Sequence, residues 1–528
     1  MFTSPNYSVV AGICLIAAVM IQRICYKEKR AIIQYHGLGG TKWLFLARFL
    51  IVSQHMKQLF LSLILLGCIN SSGLNAQQFK IKKGIITDSL RINDSIPESF
   101  AMYLPTSFEN SGKWPVIFVF DTEGRAKQVL RLFKAAADKH KFILAASNNL
   151  SDSLSLSQNI LITGRMVNMV ASIFPIHNDR VYTAGFSSGA KLAALAPTFI
   201  KQIDGVISLG SAVPNTEILA AENTFHFIGI VGKEDFNYSD MLTGEEVLNK
   251  IKFPNNLLVF DGGHEWPEQE YLERAMEILS LAAMAKGNIE KDTAFIASTL
   301  EQNHEKVKEL IGSNQLLNAY ELLVELIRIY RPLTAVDTII TRRRELKKNK
   351  LYRAQRRAEN FVLFNESFIR DDYNFNLTED VTTLNYNNLG WWNYQMGELR
   401  DYQTKSKLAD RQMGKRLIGY LNALVEDNID IEQAEDVVNE EAILFLWMLK
   451  TITDPRNYPY YLKIISVSAR NEDFGTALFY LEELLKNGYK NKSELYNVAH
   501  TALLRITPEF NKIVDEYLEG ARYEIIEE

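Results

Sequence analysis

Residues 178–193 read NDRVYTAGFSSGAKLA and hold the pattern Gly-x-Ser-x-Gly at residues 185–189. The apolar, β-rich run over 180–185 predicts a strand, and the small-residue run that follows the pattern predicts a helix. A serine on such a sharp strand-to-helix turn is exposed at the end of the sheet, and the glycines allow close backbone approach. Ser187 is therefore a candidate nucleophile; the alternative is a tight connection without chemistry.

On both sides of this stretch, short apolar runs alternate with segments of helical spacing. Strands are predicted over 79–87, 99–104, 114–120, 142–146, 205–209, 225–231 and 256–260, and helices over 125–140, 158–173, 189–200, 245–251 and 268–285. Continuous apolar strands such as 114–120 are typical of strands buried on both faces. The alternation predicts an α/β fold with a parallel sheet covered by helices.

A serine nucleophile needs a base, and the chain has few histidines after Ser187. His264 lies in the glycine-rich loop DGGHEWP, just beyond the last predicted strand, which places it at the same sheet edge as Ser187. His226 falls inside a predicted strand, where a packed core histidine is expected. We therefore predict His264 as the general base.

The base in turn needs a carboxylate that orients its ring. Asp235 follows strand 225–231 and lies between Ser187 and His264 in the chain, so it is our candidate. Glu234 and Asp240 are competitors. Asp261 is expected to flank the base without orienting it, and Ser211 to cap its strand rather than line a pocket.

These three stretches, NDRVYTAGFSSGAKLA, GKEDFNY and GGHEWP, resemble the α/β-hydrolase superfamily, in particular its esterase-like branch, over roughly residues 79–285. The resemblance implies Ser187 as nucleophile, Asp235 as orienting acid and His264 as acid–base. It also implies an oxyanion hole made by the backbone N–H of Ser188 and a second donor after strand 114–120, at Thr122.

One departure from the family concerns this second donor. Many relatives carry His-Gly there, whereas this chain has Asp121, Thr122, Glu123 and Gly124 in succession. The two carboxylates would oppose a developing oxyanion unless they are turned away. The loop is the feature that favours a catalytically weak protein.

Composition excludes several other classes of protein. The chain has 528 residues and a formal net charge of -5, which argues against a nucleic-acid partner. Its three cysteines, Cys14, Cys25 and Cys68, all precede the globular part, which excludes a disulfide scaffold, an iron–sulfur cluster and a cysteine nucleophile there. No phosphate-binding loop or metal-spaced cluster is present, so we predict neither cofactor nor metal.

The first 76 residues form a targeting region. Residues 56–76, MKQLFLSLILLGCINSSGLNA, have the order and length of a secretory signal peptide. The segment LLGC ending at Cys68 resembles a lipoprotein box, and residues 7–24 and 43–66 could cross a membrane as transmembrane helices. Translation from Met1 and from Met56 both remain open. Either start predicts export to the periplasm or cell surface, with membrane attachment through the N-terminal segment or a lipidated Cys68.

From about residue 291 the strand pattern gives way to helical patterns. Three windows, around 316–332, 389–409 and 471–488, match the tetratricopeptide template, with an irregular helical bundle as the alternative. The basic run 342–357 (RRRELKKNKLYRAQRR) is expected to be a solvated helix face; docking to an anionic partner or lipid is the alternative.

The sequence thus predicts a targeting region (1–76), an α/β-hydrolase domain (77–287) and an all-α tetratricopeptide-like domain (288–528). The predicted function is an exported serine hydrolase that cleaves a small carboxylic ester or another acylated substrate. A serine peptidase with the same three residues, or a weakly catalytic scaffold acting through its helical repeats, are the alternatives. The helical domain is expected to recruit a protein partner or to shape access to the site.

Overall fold

The computed structural model describes residues 81–93, 95–214, 219 and 224–523. The predicted targeting region, with its apolar segments and Cys68, lies outside these residues. Within the described ranges, no helix combines the length and apolar character needed to span a membrane.

Eight strands form one sheet in the order β1-β2-β4-β3-β5-β6-β7-β8. They are β1 (Ile86–Arg91), β2 (Ser99–Tyr103), β3 (Trp114–Phe120), β4 (Ile143–Ser147), β5 (Ile176–Phe186), β6 (Ile203–Leu209), β7 (His226–Gly232) and β8 (Asn255–Phe260). Strand β2 runs antiparallel to both of its neighbours, and β3 to β8 are parallel to one another. Because parallel strands present their carboxyl ends at one edge, the loops after β3, β5, β6, β7 and β8 converge there.

In the described ranges, four helices connect these strands and a fifth follows β8. They are α1 (Ala126–His140), α2 (Leu156–Ile173), α3 (Ser188–Phe199), α4 (Tyr238–Lys250) and α5 (Gln269–Lys286). Helix α2 begins with a capping box, in which Ser155 and Gln158 satisfy each other's backbone amides. The predicted α/β domain with a mostly parallel sheet, followed by a helical region, is confirmed.

Two predicted elements have different bounds in the structure. Strand β1 begins at Ile86 rather than at residue 79, because a turn with Gly84 in the left-handed conformation precedes it. It then continues through a bulge between Thr87 and Leu90, which hides its alternation in the sequence. Helix α4 begins at Tyr238, seven residues before the predicted start, and buries Tyr238 together with two other apolar residues.

The described chain after α5 is largely helical. Its helices are α6 (Thr293–Gly312), α7 (Leu316–Tyr330), α8 (Asp337–Lys348), α9 (Lys350–Thr383), α10 (Leu389–Tyr402), α11 (Leu408–Ala434), α12 (Glu440–Thr453), α13 (Tyr458–Arg470), α14 (Phe474–Lys486), α15 (Lys492–Leu495) and α16 (Pro508–Tyr517). The predicted boundary at 287 falls at Gly287, the left-handed residue that ends α5. One apolar core nevertheless continues from the sheet through α5 into α6, α7 and α8.

The packing of this region departs in part from the repeat template. Ala319 and Ala477, placed at small-residue positions of the template, are fully buried. A Cβ atom at Gly390 or Gly397, by contrast, would meet nothing within 4 Å, so these glycines do not mark close helix approach. Helices α9 and α11 have 34 and 27 residues, far more than the 13 of α13 and α14. The tetratricopeptide-like organisation stays a prediction.

Candidate active site

The turn after β5 holds Ser187 in a strained backbone conformation, with φ 52° and ψ -118°. Its N–H donates to the carbonyl of Leu209 on β6 at 2.9 Å, which ties the turn to the neighbouring strand. A Cβ atom on Gly185 would lie 2.3 Å from the carbonyl oxygen of Gly189, and one on Gly189 would lie 2.3 Å from that of Phe120. Both glycines of the pattern are therefore required by contact, as the sequence predicts.

The structure brings the three predicted side chains together. His264 Nε2 lies 3.1 Å from Ser187 Oγ, and His264 Nδ1 lies 3.0 Å from Asp235 Oδ2. The Asp235 side chain is only 1% exposed, and its other oxygen accepts the N–H of Asn237 at 2.8 Å. One imidazole thus bridges a hydroxyl and a buried carboxylate.

The competing carboxylates have other partners. Glu234 pairs with Lys415 at 2.7 Å, Asp240 with Arg370 at 2.7 Å, and Asp261 with Lys233 at 2.8 Å.

The other two candidates, His226 and Ser211, also have hydrogen-bond partners of their own. His226 lies within β7, where its Nε2 is 2.7 Å from Asn256 Oδ1, and desolvation lowers its pKa to about 4. Ser211 is buried, and its hydroxyl donates to the carbonyl of Ala212.

Two aromatic rings lie against the imidazole of His264. The ring centroids of Phe186 and Phe236 are 4.7 and 4.4 Å from that of His264. Phe186 precedes Ser187 and Phe236 follows Asp235, so each loop contributes a ring as well as a polar group. These contacts restrict the tilt of the imidazole and hold Nε2 toward the hydroxyl.

Gly210, which the sequence reasoning missed, completes the packing around the imidazole. It follows β6 with φ +65°, and a Cβ atom there would lie 3.1 Å from His264 Cε1 and 3.2 Å from Asp235 Oδ2. Its carbonyl accepts the side-chain amide of Asn237 at 2.7 Å. Its position directly after a buried parallel strand is the signal that could have found it, because glycine there permits close approach.

The two residues predicted to supply oxyanion donors lie side by side. Ser188 is the first residue of α3, so its N–H has no acceptor within the helix. The hydroxyls of Thr122 and Ser188 are 2.7 Å apart, and both also bond to Asp152 Oδ2, at 2.9 and 3.0 Å. Asp152 was not singled out from the sequence, because it lies in a polar loop without a motif.

The acidic residues that flank Thr122 are engaged elsewhere. Asp121 accepts hydrogen bonds from the backbone N–H and the guanidinium of Arg125, at 3.0 to 3.1 Å. Glu123 pairs with the same guanidinium at 2.6 Å. Because Arg125 pairs with both carboxylates, the exposed Asp152 is the negative charge in contact with the side-chain hydroxyls of the two residues whose backbone N–H groups are the predicted donors.

The helical region packs directly on the loop that carries Asp235. Arg416 of α11 forms a buried ion pair with Glu366 of α9, and its Nη1 donates to the carbonyl of Lys233 at 2.7 Å. Its guanidinium also lies 5.2 Å from the ring centroid of Tyr238. Next to it, a Cβ atom on Gly419 would lie 3.2 Å from the Phe236 side chain. The loop that carries Asp235, called the acid loop below, is thus held between the sheet and two long helices.

Within the described ranges, no group of three or more histidine, cysteine or acidic side chains is arranged to hold a metal ion.

Comparisons with known proteins return structures but no sequence family. No family model matches the chain, and no curated protein matches it. The S-formylglutathione hydrolase of Staphylococcus aureus is 17% identical, with 37% of this chain and 95% of that chain covered and a TM-score of 0.30. Est1E from Butyrivibrio proteoclasticus is 13% identical, with 38% and 99% covered and a TM-score of 0.31. The feruloyl esterase module of Clostridium thermocellum is 12% identical, with 36% and 86% covered and a TM-score of 0.32. These similarities assign no substrate to this chain.

Proposed function

We propose that this protein is a serine hydrolase that cleaves carboxylic esters through an acyl-enzyme on Ser187. The observation that carries the proposal is the pair of distances at His264, 3.1 Å to the Ser187 hydroxyl and 3.0 Å to the Asp235 carboxylate. A hydroxyl is a weak nucleophile until a base takes its proton, and a base needs an orienting group. This arrangement supplies both.

In the acylation step, Ser187 Oγ attacks the ester carbonyl carbon while His264 Nε2 takes the hydroxyl proton. The Asp235 carboxylate accepts a hydrogen bond from the Nδ1–H of His264, stays ionised, and stabilises the imidazolium that forms. When the tetrahedral intermediate collapses, the carbon–oxygen bond to the alcohol breaks and Nε2 returns the proton to the leaving oxygen. Water then repeats the sequence on the acyl-enzyme, which releases the carboxylic acid and restores the serine.

The oxyanion of each intermediate would be stabilised by the backbone amides of Ser188 and Thr122. One such donor typically contributes about 3 kcal/mol to transition-state stabilisation. The contact between these residues and Asp152 opposes this effect in part, because a carboxylate raises the energy of a nearby oxyanion. We therefore expect turnover to be slower than in enzymes that lack such a charge.

Labelling with a fluorophosphonate, followed by peptide mapping, tests the proposal. The expected result is covalent modification at Ser187, together with hydrolysis of p-nitrophenyl acetate that Ser187→Ala lowers by about 10⁶-fold. Ser172→Ala, on the surface of α2, is the matched control and should leave both unchanged. Equal hydrolysis by wild type and Ser187→Ala would contradict the proposal and would favour a scaffold protein that acts through its helical region. Assays with a panel of peptides distinguish an esterase from a peptidase.

We also propose that the protein is exported and attached to a membrane at its N-terminus. Support comes from the signal-like residues 56–76 and from the apolar segment before them. The test is a reporter enzyme that is active only outside the cytoplasm, fused after Ala76. The fusion should be active, and replacement of Leu63 and Leu65 by arginine should abolish this activity by retaining the fusion in the cytoplasm.

A further inference from the structure

Helix α9 exposes four phenylalanines on a single face. Phe361, Phe364, Phe368 and Phe375 are 65, 60, 59 and 65% exposed. At 3.6 residues per turn they lie within an arc of about 60°. An apolar stripe of this kind on a folded protein marks a contact surface, since isolated apolar side chains are common but contiguous patches are not.

Four exposed charges along the same face are arranged symmetrically about its centre. Lys350 and Arg357 lie on the N-terminal half of the face, and Asp372 and Glu379 lie on the C-terminal half. The centre of symmetry lies between Phe364 and Asn365. Counted in residues along the helix, Lys350 and Glu379 are equally far from this centre, and so are Arg357 and Asp372. All four are exposed. Within the described part of the chain, none of the four forms an ion pair.

The apolar positions follow the same symmetry. Phe361 and Phe368 are equidistant from the centre, and Phe375 has the exposed Ala354 as its counterpart. Laid against an antiparallel copy of itself, the face would therefore pair Lys350 with Glu379 and Arg357 with Asp372, and would set every Phe375 ring against a small residue. Arg353 and Asp371, at the edge of the face, would lie opposite Asn376 and Ala358. A self-complementary patch is what a two-fold interface requires, because the same surface serves both subunits.

We propose that the protein forms an antiparallel two-fold dimer through this face of α9. The matched positions run from Lys350 to Glu379, 29 steps of 1.5 Å or about 43 Å of helix. Eight phenylalanines that each lose roughly 120 Å² bury about 1,000 Å², and the flanking residues bring the total to the size of a specific interface. The occupant is a second copy rather than a lipid surface, because Asp371, Asp372 and Glu379 would face the anionic headgroups.

Charge reversal tests the pairing. We would purify the full chain in a mild detergent and measure its dimer dissociation constant by sedimentation velocity. Arg357→Glu and Asp372→Arg should each raise this constant about tenfold or more, since each places like charges opposite one another twice per dimer. The double variant should return it to near the wild-type value, because it restores both pairs in reversed order. Circular dichroism checks that each variant is folded.

Two further variants separate this interface from other sources of association. Phe364→Ser should abolish the dimer, whereas Phe479→Ser, at an equally exposed phenylalanine on α14, should not change it. A wild-type monomer at all concentrations, a dimer indifferent to Phe364→Ser, or a double variant no better than the single ones would each overturn the proposal. So would a monomer that binds anionic phosphatidylglycerol vesicles through Phe364.

Discussion

Replacing Arg416 by methionine should destabilise the fold and slow the reaction together. The side chains of Arg416 and Glu366 are 4% and 1% exposed, and two hydrogen bonds of 3.0 and 2.9 Å join the guanidinium Nε to the carboxylate. Removing one partner of such a buried pair leaves an unpaired charge in the interior, which typically costs about 3–5 kcal/mol of the free energy of unfolding. Arg416→Met also removes the donor to the Lys233 carbonyl, two residues before Asp235.

The effect on activity follows from geometry. Once the acid loop loses this support, Asp235 no longer holds the imidazole of His264 in one position, and misplacement of a catalytic group by a fraction of an ångström lowers the rate steeply. We expect kcat for p-nitrophenyl acetate to fall about tenfold under conditions where the variant is folded, with KM little changed. Urea unfolding gives the stability, and steady-state kinetics below the unfolding transition give kcat.

Two controls make the result interpretable. Arg274→Met breaks the ion pair with Glu325, which is also largely buried but lies between α5 and α7, away from the acid loop. It should lower stability without lowering kcat. The double variant Arg416→Met/Glu366→Met should recover most of the stability, because neither charge is then buried alone. An Arg416→Met protein with wild-type stability, or with full kcat when folded, would refute the reasoning.

Three other outcomes are expected. Gly210→Ala should lower kcat about tenfold and stability by about 1–2 kcal/mol, since alanine disfavours φ +65° and its methyl group would press on His264; unchanged kinetics would contradict this contact. Asp152→Asn should raise kcat a few-fold, because it removes a negative charge close to the predicted oxyanion donors. The increase should be smaller at high salt, which screens that charge; a lower kcat at every salt concentration would show that the carboxylate is needed. Desolvation lowers the pKa of both His140 and His226 from 6.5 to about 4. The unfolded chain therefore binds more protons below pH 6.5, so the free energy of unfolding should fall by a few kcal/mol as the pH drops from 6.5 to 4, and His140→Gln should flatten this dependence in denaturation curves.

The sheet and the sharp turn that carries Ser187 could be predicted because their determinants are local. Glycines at 185 and 189 and the buried run before them impose a tight strand–turn–helix on the chain. The convergence of Ser187, His264 and Asp235 followed from their positions after parallel strands, whose ends meet at one edge.

Long-range contacts could not be predicted in the same way. Asp152 reaches the oxyanion side from a loop between β4 and α2, and nothing in its neighbours indicates this. The contact of Arg416 with the acid loop joins residues 183 positions apart. Within a single sequence, the charged run 408–416 looks like any solvated helix.

The shared core has a consequence for how this protein could have evolved. Because the outer face of α5 is buried under α6 and α7, the sheet domain is not a self-sufficient module that simply acquired a tail. A descendant that lost everything after Gly287 would expose a leucine- and methionine-rich surface on α5. It would also leave Arg274 without its partner Glu325. Loss of the helices would therefore have to be accompanied by polar substitutions along α5, and this combination is the mark to seek in any shorter relative.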